Sequence, residues 1–316
     1  MRYVTMVLVC ALLIIPAQAL GQSKVGQAGA QFLDIGVSAR AVGMAEAFTA
    51  ISDDATAIHY NVAGLAQIDD REVVFTHIEY LVDINYEFAA LAWPSYRFGG
   101  TFGIAVYALD AGDMLQTTYE NPVGFVDPIT GEAATFGAQE HALAVSYARS
   151  LTDHFSIGAT WKLIDELYAE KRATGWACDV GTTYDTGYRG IKMSMVISNF
   201  GPEMKFINDE YPLPINFKFA ASANVLEGLN HRGTLGFEGS HPSDNYEQYT
   251  AGFEYSYDEH YAFRIGHKFG KDAAAGFAIG GGARFAISDY SLAVDYGYHE
   301  YGALEDTHLF TVGFKF

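Results

Sequence analysis

The stretch His308-Leu309-Phe310-Thr311-Val312-Gly313-Phe314-Lys315-Phe316 alternates in character. Phe310, Val312, Phe314 and Phe316 fall on one face of an extended chain; Thr311, Gly313 and Lys315 fall on the other. The period is two residues, so the segment reads as a strand with one apolar face that runs to a terminal aromatic. At the opposite end of the chain, Arg2 precedes an apolar core from Val7 to Ile15, followed by Pro16 and the small-residue site Ala17-Gln18-Ala19. That order predicts a cleaved secretory signal peptide over residues 1–19, too short to span a bilayer as a helix.

Export combined with such a closing strand predicts a β-barrel of the bacterial outer membrane. The composition agrees. The 316 residues include 33 Gly, 21 Tyr and 22 Phe but 8 Pro, and half are hydrophobic. No apolar run beyond the signal reaches the ~18 residues that a membrane-spanning helix requires, so the apolar content is spread through alternation. A net charge of −19 argues against nucleic acid as a partner and against a Lys/Arg surface for anionic lipid. Cys10 lies in the signal segment without the preceding small residue of a lipoprotein site. Cys178 is then alone and is expected as a small buried residue on a strand.

Residues 20–70 are rich in Ala and Gly and carry helix-like content, Ala39-Arg40-Ala41-Val42-Gly43-Met44-Ala45-Glu46-Ala47-Phe48-Thr49-Ala50. From Arg71 the texture changes to short alternating runs. About fourteen strand candidates follow, from Val73–Asp83 to Asp306–Phe316, near the spacing of ~10-residue membrane strands with short turns. In one, Tyr261, Phe263 and Ile265 alternate with Arg264, Gly266 and Lys268; in another, Ile215, Phe217 and Phe219 alternate with Asn216 and Lys218. A soluble sandwich would show the same period with its apolar face inward. Export and the Tyr at strand ends (Tyr80, Tyr96, Tyr168, Tyr184, Tyr257, Tyr298) favour the barrel, because such rings suit a bilayer interface. The insertions Asp110–Gln139 and Gly201–Leu213 are the expected extracellular loops.

The segment Gly36-Val37-Ser38-Ala39-Arg40-Ala41-Val42-Gly43-Met44-Ala45-Glu46-Ala47-Phe48 resembles the N-terminal signature of the PorV/PorQ family, within the wider group of FadL-like barrels. So does Asp53-Asp54-Ala55-Thr56-Ala57-Ile58-His59-Tyr60-Asn61-Val62-Ala63-Gly64-Leu65, where Val62 replaces the Pro of the usual Asn-Pro-Ala-Gly-Leu. The resemblance implies an all-β, transmembrane antiparallel β-barrel of about fourteen strands over residues 71–316, with residues 20–70 as a partly helical plug in the lumen. It implies two functions, of which the first is the favoured reading and the second the alternative. One is a non-catalytic component of type IX-like protein secretion and surface attachment, whose partners are cargo proteins or secretion-machinery subunits. The other is FadL-like transport of hydrophobic small molecules. A passive structural barrel is a third reading.

Candidate sites follow from these readings. Asn61, Val62, Ala63 and Gly64 form a turn expected to shape the plug or line a ligand cavity, although Asn also commonly satisfies backbone groups at turns. Arg264, Lys268, Arg284 and Glu238, with Lys218, lie on the polar strand face. They are expected in the lumen, since charge against lipid costs ~2–4 kcal/mol at mid-depth; there they would pair with one another or with Glu46, Asp53 and Asp54. Asp53 and Asp54 lack the alternating pattern of a calcium loop and suit helix capping. The ten His show no metal-ligand spacing and are expected in loops and at strand ends, so no metal and no cofactor is assigned. Nucleophile-elbow and phosphate-loop motifs are absent, which argues against an enzyme. Gly280-Gly281-Gly282 lies inside a strand pattern and is expected where backbone approaches closely.

Overall fold

A computed structural model describes residues 25–117, 124, 126, 131, 134–270, 275–302 and 306–316. The expected signal peptide lies outside the described residues. The strands in chain order are β1 (Glu72–Glu79), β2 (Asn85–Ser95), β3 (Gly100–Leu115), β4 (Thr135–Ser150), β5 (Phe155–Tyr168) and β6 (Lys171–Asp185). Next come β7 (Lys192–Phe200), a small hairpin of β8 (Met204–Phe206) and β9 (Asp209–Tyr211), β10 (Asn216–Glu227) and β11 (His231–Pro242). The chain ends with β12 (Gln248–Tyr257), β13 (Tyr261–Phe269), β14 (Gly276–Ile287), β15 (Tyr290–His299) and β16 (Thr307–Lys315). All but β8 and β9 form one closed barrel, in which β1 pairs with β16 from Glu72↔Lys315 to Glu79↔His308.

The alternation read from the sequence sets which side chain faces where. On β16, Phe310, Val312 and Phe314 are exposed on the outer face, whereas Leu309 and Thr311 are buried. The pattern repeats around the wall, with Phe75, Ile104, Val145, Trp161, Phe219 and Phe263 outward and Thr76, Ala144, Lys162, Glu238 and Arg264 inward. In water such an exterior would be an aggregation surface. Against hydrocarbon it is the stable one, and barrel closure gives every barrel strand a neighbour on both sides. The protein is a transmembrane β-barrel of the bacterial outer membrane.

Several expectations are adjusted. Asp110–Gln139 is less of a loop than its polarity suggests, because β3 continues through a bulge between Asp110 and Asp113 and pairs with β4 down to Leu115↔Thr135. Of the tyrosines expected at the interface, Tyr96, Tyr184 and Tyr257 are exposed. Tyr80 instead packs on the core, and the Tyr168 hydroxyl donates to inward Glu140. Cys178 is only partly buried, since strand parity turns it outward between buried Ala177 and Asp179. His59 is partly buried in the N-terminal segment, against Tyr60 and Tyr107, rather than placed at a strand end.

Most of residues 30–68 are buried and form four short helical turns, Gln31–Asp34, Ala39–Val42, Ala57–Tyr60 and Val62–Gln67. Helices this short are not stable alone; packing against inward wall positions holds them. A side chain at Gly252 would meet the Met44 carbonyl oxygen at 2.5 Å, and one at Gly297 would meet the Ala39 carbonyl oxygen at 2.7 Å. Gly280 faces the Gly43 Cα, as the run Gly280-Gly281-Gly282 suggested, and Gly236 and Gly266 abut the same stretch. On the other side Gly103 receives Ile58 and Leu65, and Gly158 receives Val62. Two of these pairings, Gly236↔Gly252 and Gly252↔Gly266, are direct cross-strand neighbours. The unusual glycine content thus has a spatial cause: the wall is thinned where the N-terminal segment presses on it.

Candidate functional site

The Asn61 turn is the tightest lock in the segment. Asn61 is extended (φ −159°), its Nδ2 donates to the Thr49 carbonyl and to Thr183 Oγ1 of β6, both at 2.9 Å, and its Oδ1 accepts from the Ala63 amide at 3.1 Å. Val62 and Ala63 are buried, and Gly64 lies against the Ser52 carbonyl. These four residues border none of the cavities described below. The Tyr60 hydroxyl accepts from the Val37 and Ser38 amides at 3.0 and 3.3 Å, tying the two halves of the segment together.

Charges join the segment to the wall. Arg40 bonds Glu254 of β12 at 2.9 Å and Asp53 at 2.5 Å; Glu254 also accepts from Arg264 of β13 at 2.6 Å, and Arg264 reaches Asp295 of β15 at 2.5 Å. Lys268 pairs with Glu46 at 3.2 Å, and Lys218 with Glu238 at 3.4 Å. Arg264, Lys268 and Glu238 are therefore inward and paired. Arg284 is exposed at one rim, bordering a polar cavity of about 290 Å³ with Arg40, Asp53 and Arg264. Asp54 accepts from the Thr56 amide at 2.9 Å, the turn-capping role that its position suggested. Burial works against ionisation of Glu46, yet Lys268 and Lys218 hold its carboxyl down at about 2. Burial likewise opposes the Arg40 charge, but Asp53 and Glu254 outweigh it and keep the guanidinium above its ordinary range.

The rim at Arg284 carries the short turns and both ends of the barrel chain, Glu72 and Lys315. The opposite rim carries the longest connections, residues 116–134 and 201–215. A second cavity, of about 430 Å³, opens there. One wall is apolar and aromatic, with Phe32, Ile35, Tyr80, Ile84, Leu109 and Tyr301; the other is polar, with Asp34, Glu46, Asn216, Lys218, Glu238 and Thr250. Its size lies in the range of small-molecule sites. Asp34 sits at the junction, half-buried, accepting from Asn199 Nδ2 at 3.1 Å, and burial raises its carboxyl to about 7.

Beside this cavity the wall is incomplete. The ladder between β6 and β7 runs from Asp185↔Lys192 up to Cys178↔Phe200 and slips by one residue between Cys178 and Val180. Residues 171–177 of β6 have no β7 partner. Asn199 is the bulged residue, at φ 58°. Its amide bonds Asp179 at 2.7 Å, and its Oδ1 accepts from Lys162 at 2.8 Å. Lys162 and Asp179, an ion pair of 2.8 Å with both side chains almost fully buried, had no distinguishing signal beyond inward parity on adjacent strands. The β8–β9 hairpin packs against the unpartnered stretch, with Met204 on Gly175 and the Tyr211 hydroxyl donating to Glu166. The run Asn199-Phe200-Gly201-Pro202 was the available cue, since Gly and Pro mark strand interruption.

No family model matches the chain, and no curated protein matches it. Solved structures do. The CymD monoaromatic hydrocarbon channel superposes with a TM-score of 0.56 at 12% identity, covering 89% of this chain and 97% of its own. A Pseudomonas aeruginosa FadL homologue gives 0.56 at 10% identity over 89% and 98%. The Pseudomonas putida toluene transporter TodX gives 0.55 at 9% identity over 84% and 96%. What the chains share is the fold, a FadL-like barrel.

Proposed function

We propose that this protein is a non-catalytic outer-membrane channel for small hydrophobic molecules, with residues 20–70 acting as a plug. The observation that carries this reading is the break in the β6–β7 ladder beside the half-apolar cavity. Outer-membrane barrels put their longer loops outside, so the cavity faces the cell exterior. Asn216, in its wall, is the ladder partner of Ser198, next to the Asn199 bulge. A ligand entering from outside thus meets an apolar wall and then a stretch of barrel whose backbone is unpaired on one side. The segment below, locked at Asn61 and by Lys268–Glu46, closes the straight path through the lumen. CymD, a monoaromatic hydrocarbon channel, and TodX, a toluene transporter, handle molecules of this chemistry.

The resemblance of residues 36–65 to the PorV/PorQ signature favours the secretion reading, in which the loop-rich rim would engage cargo. Those residues are largely buried against the wall, however, so they account for a fold rather than for contact with a partner.

The test uses an outer-membrane-bearing host, where the lipopolysaccharide leaflet is the barrier to apolar solutes. Expression of the chain should raise the entry rate of the apolar fluorophore N-phenylnaphthylamine. A disulfide between Gly175→Cys and Met204→Cys, in a Cys178→Ala background, should abolish the gain until it is reduced. Equal entry with and without the chain would refute the channel.

A further inference from the structure

The polar wall of the loop-end cavity has a sign. Five carboxyl groups line the cavity, those of Asp34, Glu46, Glu238 and Asp244 and, beside Leu109, that of Glu140, against two lysines among the described residues. Both lysines are engaged, Lys268 by Glu46 and Lys218 by Glu238. Among the described residues no lining cation is left to receive an acid head group, and a carboxylate brought in would lose its hydration among like charges.

A second feature is independent of charge. Asn216 and Thr250 are each more than nine-tenths buried and line the same cavity, and the Asn216 Oδ1 and Thr250 Oγ1 atoms make no hydrogen bond. Buried polar atoms are nearly always paired, because leaving one unpaired forfeits its hydration. Here they stand across from Phe32, Tyr80 and Leu109, so a molecule filling the cavity would lay an apolar body on one wall and a polar end on the other.

We infer that the cavity selects apolar molecules with a hydrogen-bond-donating head, a hydroxyl or an ammonium, and discriminates against carboxylates. The inference rests on the transport reading and narrows its substrate class: alcohols, phenols and amines are accepted, and fatty or aromatic acids are refused. A donor head reaches Asn216 Oδ1 and Thr250 Oγ1, an ammonium gains further from the surrounding carboxylates, and a bare hydrocarbon fills the apolar wall while leaving both oxygens unpaired.

The experiment is titration calorimetry of the full chain in detergent micelles, with protein-free micelles as the blank. The probes share one skeleton: phenethyl alcohol, phenethylamine, ethylbenzene and phenylacetate at neutral pH. The alcohol and the amine should bind about tenfold tighter than phenylacetate, with ethylbenzene between them. Thr250→Val and Asn216→Leu should each bring the alcohol down to the level of ethylbenzene without weakening ethylbenzene, and Thr250→Ser should keep the preference. Each variant is first checked for the gel-mobility shift of a folded barrel. Phenylacetate binding as tightly as the alcohol overturns the charge selection, and ethylbenzene matching the alcohol overturns the head-group selection. No binding by any probe while N-phenylnaphthylamine entry persists removes this cavity from an intact channel reading. Loss of both binding and entry removes the channel reading too.

Discussion

The backbone amide of Asn199 donates to the Asp179 carboxylate at 2.7 Å, a bond to a side chain where the β6–β7 ladder slips its register. That exchange holds the bulge. Asn199 sits at φ 58°, a region that costs a residue with a Cβ about 1–3 kcal/mol unless its surroundings compensate. Its side chain is held from three directions, by Lys162, Asp34 and the Pro214 carbonyl.

Removing one partner of this cluster should be costly. Lys162→Met leaves Asp179 buried without its cation, which typically destabilises by ~3–5 kcal/mol. The urea midpoint of the variant should fall accordingly. Adding Asp179→Leu should recover part of the loss, because no unpaired charge then remains. An unchanged midpoint in the single variant would mean that the pair carries little of the wall's stability.

The glycine positions make a contrast within the barrel wall. Gly252→Ala drives a methyl against Met44 and is expected to destabilise by ~1–3 kcal/mol through overpacking. Gly281→Ala, where the nearest atom to a new Cβ is the Ala262 carbonyl oxygen at 3.8 Å, should be nearly neutral. Protease nicking within residues 25–70 should rise for the first variant and not for the second. Equal behaviour would refute the account of glycine as clearance for the segment.

Asp34 predicts a pH slope. Its carboxyl is raised from an ordinary 3.8 to about 7, chiefly by burial. A raised acid stabilises the fold fully below its unfolded value and loses that contribution as pH climbs through the folded one. Stability should therefore decline between about pH 4 and pH 7, and Asp34→Asn should flatten that part of the profile. Chemical denaturation at a series of pH values reads this directly, and an identical slope in the variant would count against it.

Cys178 offers an accessibility probe. Because it turns outward and is partly exposed, a lipid-soluble maleimide should label it in the folded barrel, whereas a charged, membrane-excluded thiol reagent should not. Labelling by the charged reagent alone would place this face of β6 against water instead of hydrocarbon.

All fourteen barrel strands were legible because each carries its own evidence: alternate residues meet hydrocarbon, and lipid imposes one sign of alternation on every strand. The inward direction of Arg264, Lys268 and Glu238 follows from the same rule. The run Gly280-Gly281-Gly282 announced a close approach, although the sequence was silent on what approaches. Cys178 was misjudged because the general preference of cysteine for burial was set above its parity on β6. The Asn61 motif was read as shaping the segment or lining a cavity, or as satisfying backbone groups at a turn; of its three side-chain hydrogen bonds, two tie the segment to itself at Thr49 and Ala63 and one ties it to Thr183 of β6.

The sequence by itself determined strand number, facing and membrane, since these depend on local period and on transfer of single side chains between water and lipid. Only the tertiary structure decided where the wall is broken, which carboxylates outnumber which lysines, and that Asn216 and Thr250 share a cavity with Phe32. Those relationships join residues far apart in the chain, such as Asp34 and Asn199, through register and packing. A one-residue bulge inverts the alternation beyond it, so that Ser198 and Asn199 are both buried and Phe200 turns outward, but β7 ends at Phe200 and leaves too few residues for the inversion to be read from the sequence.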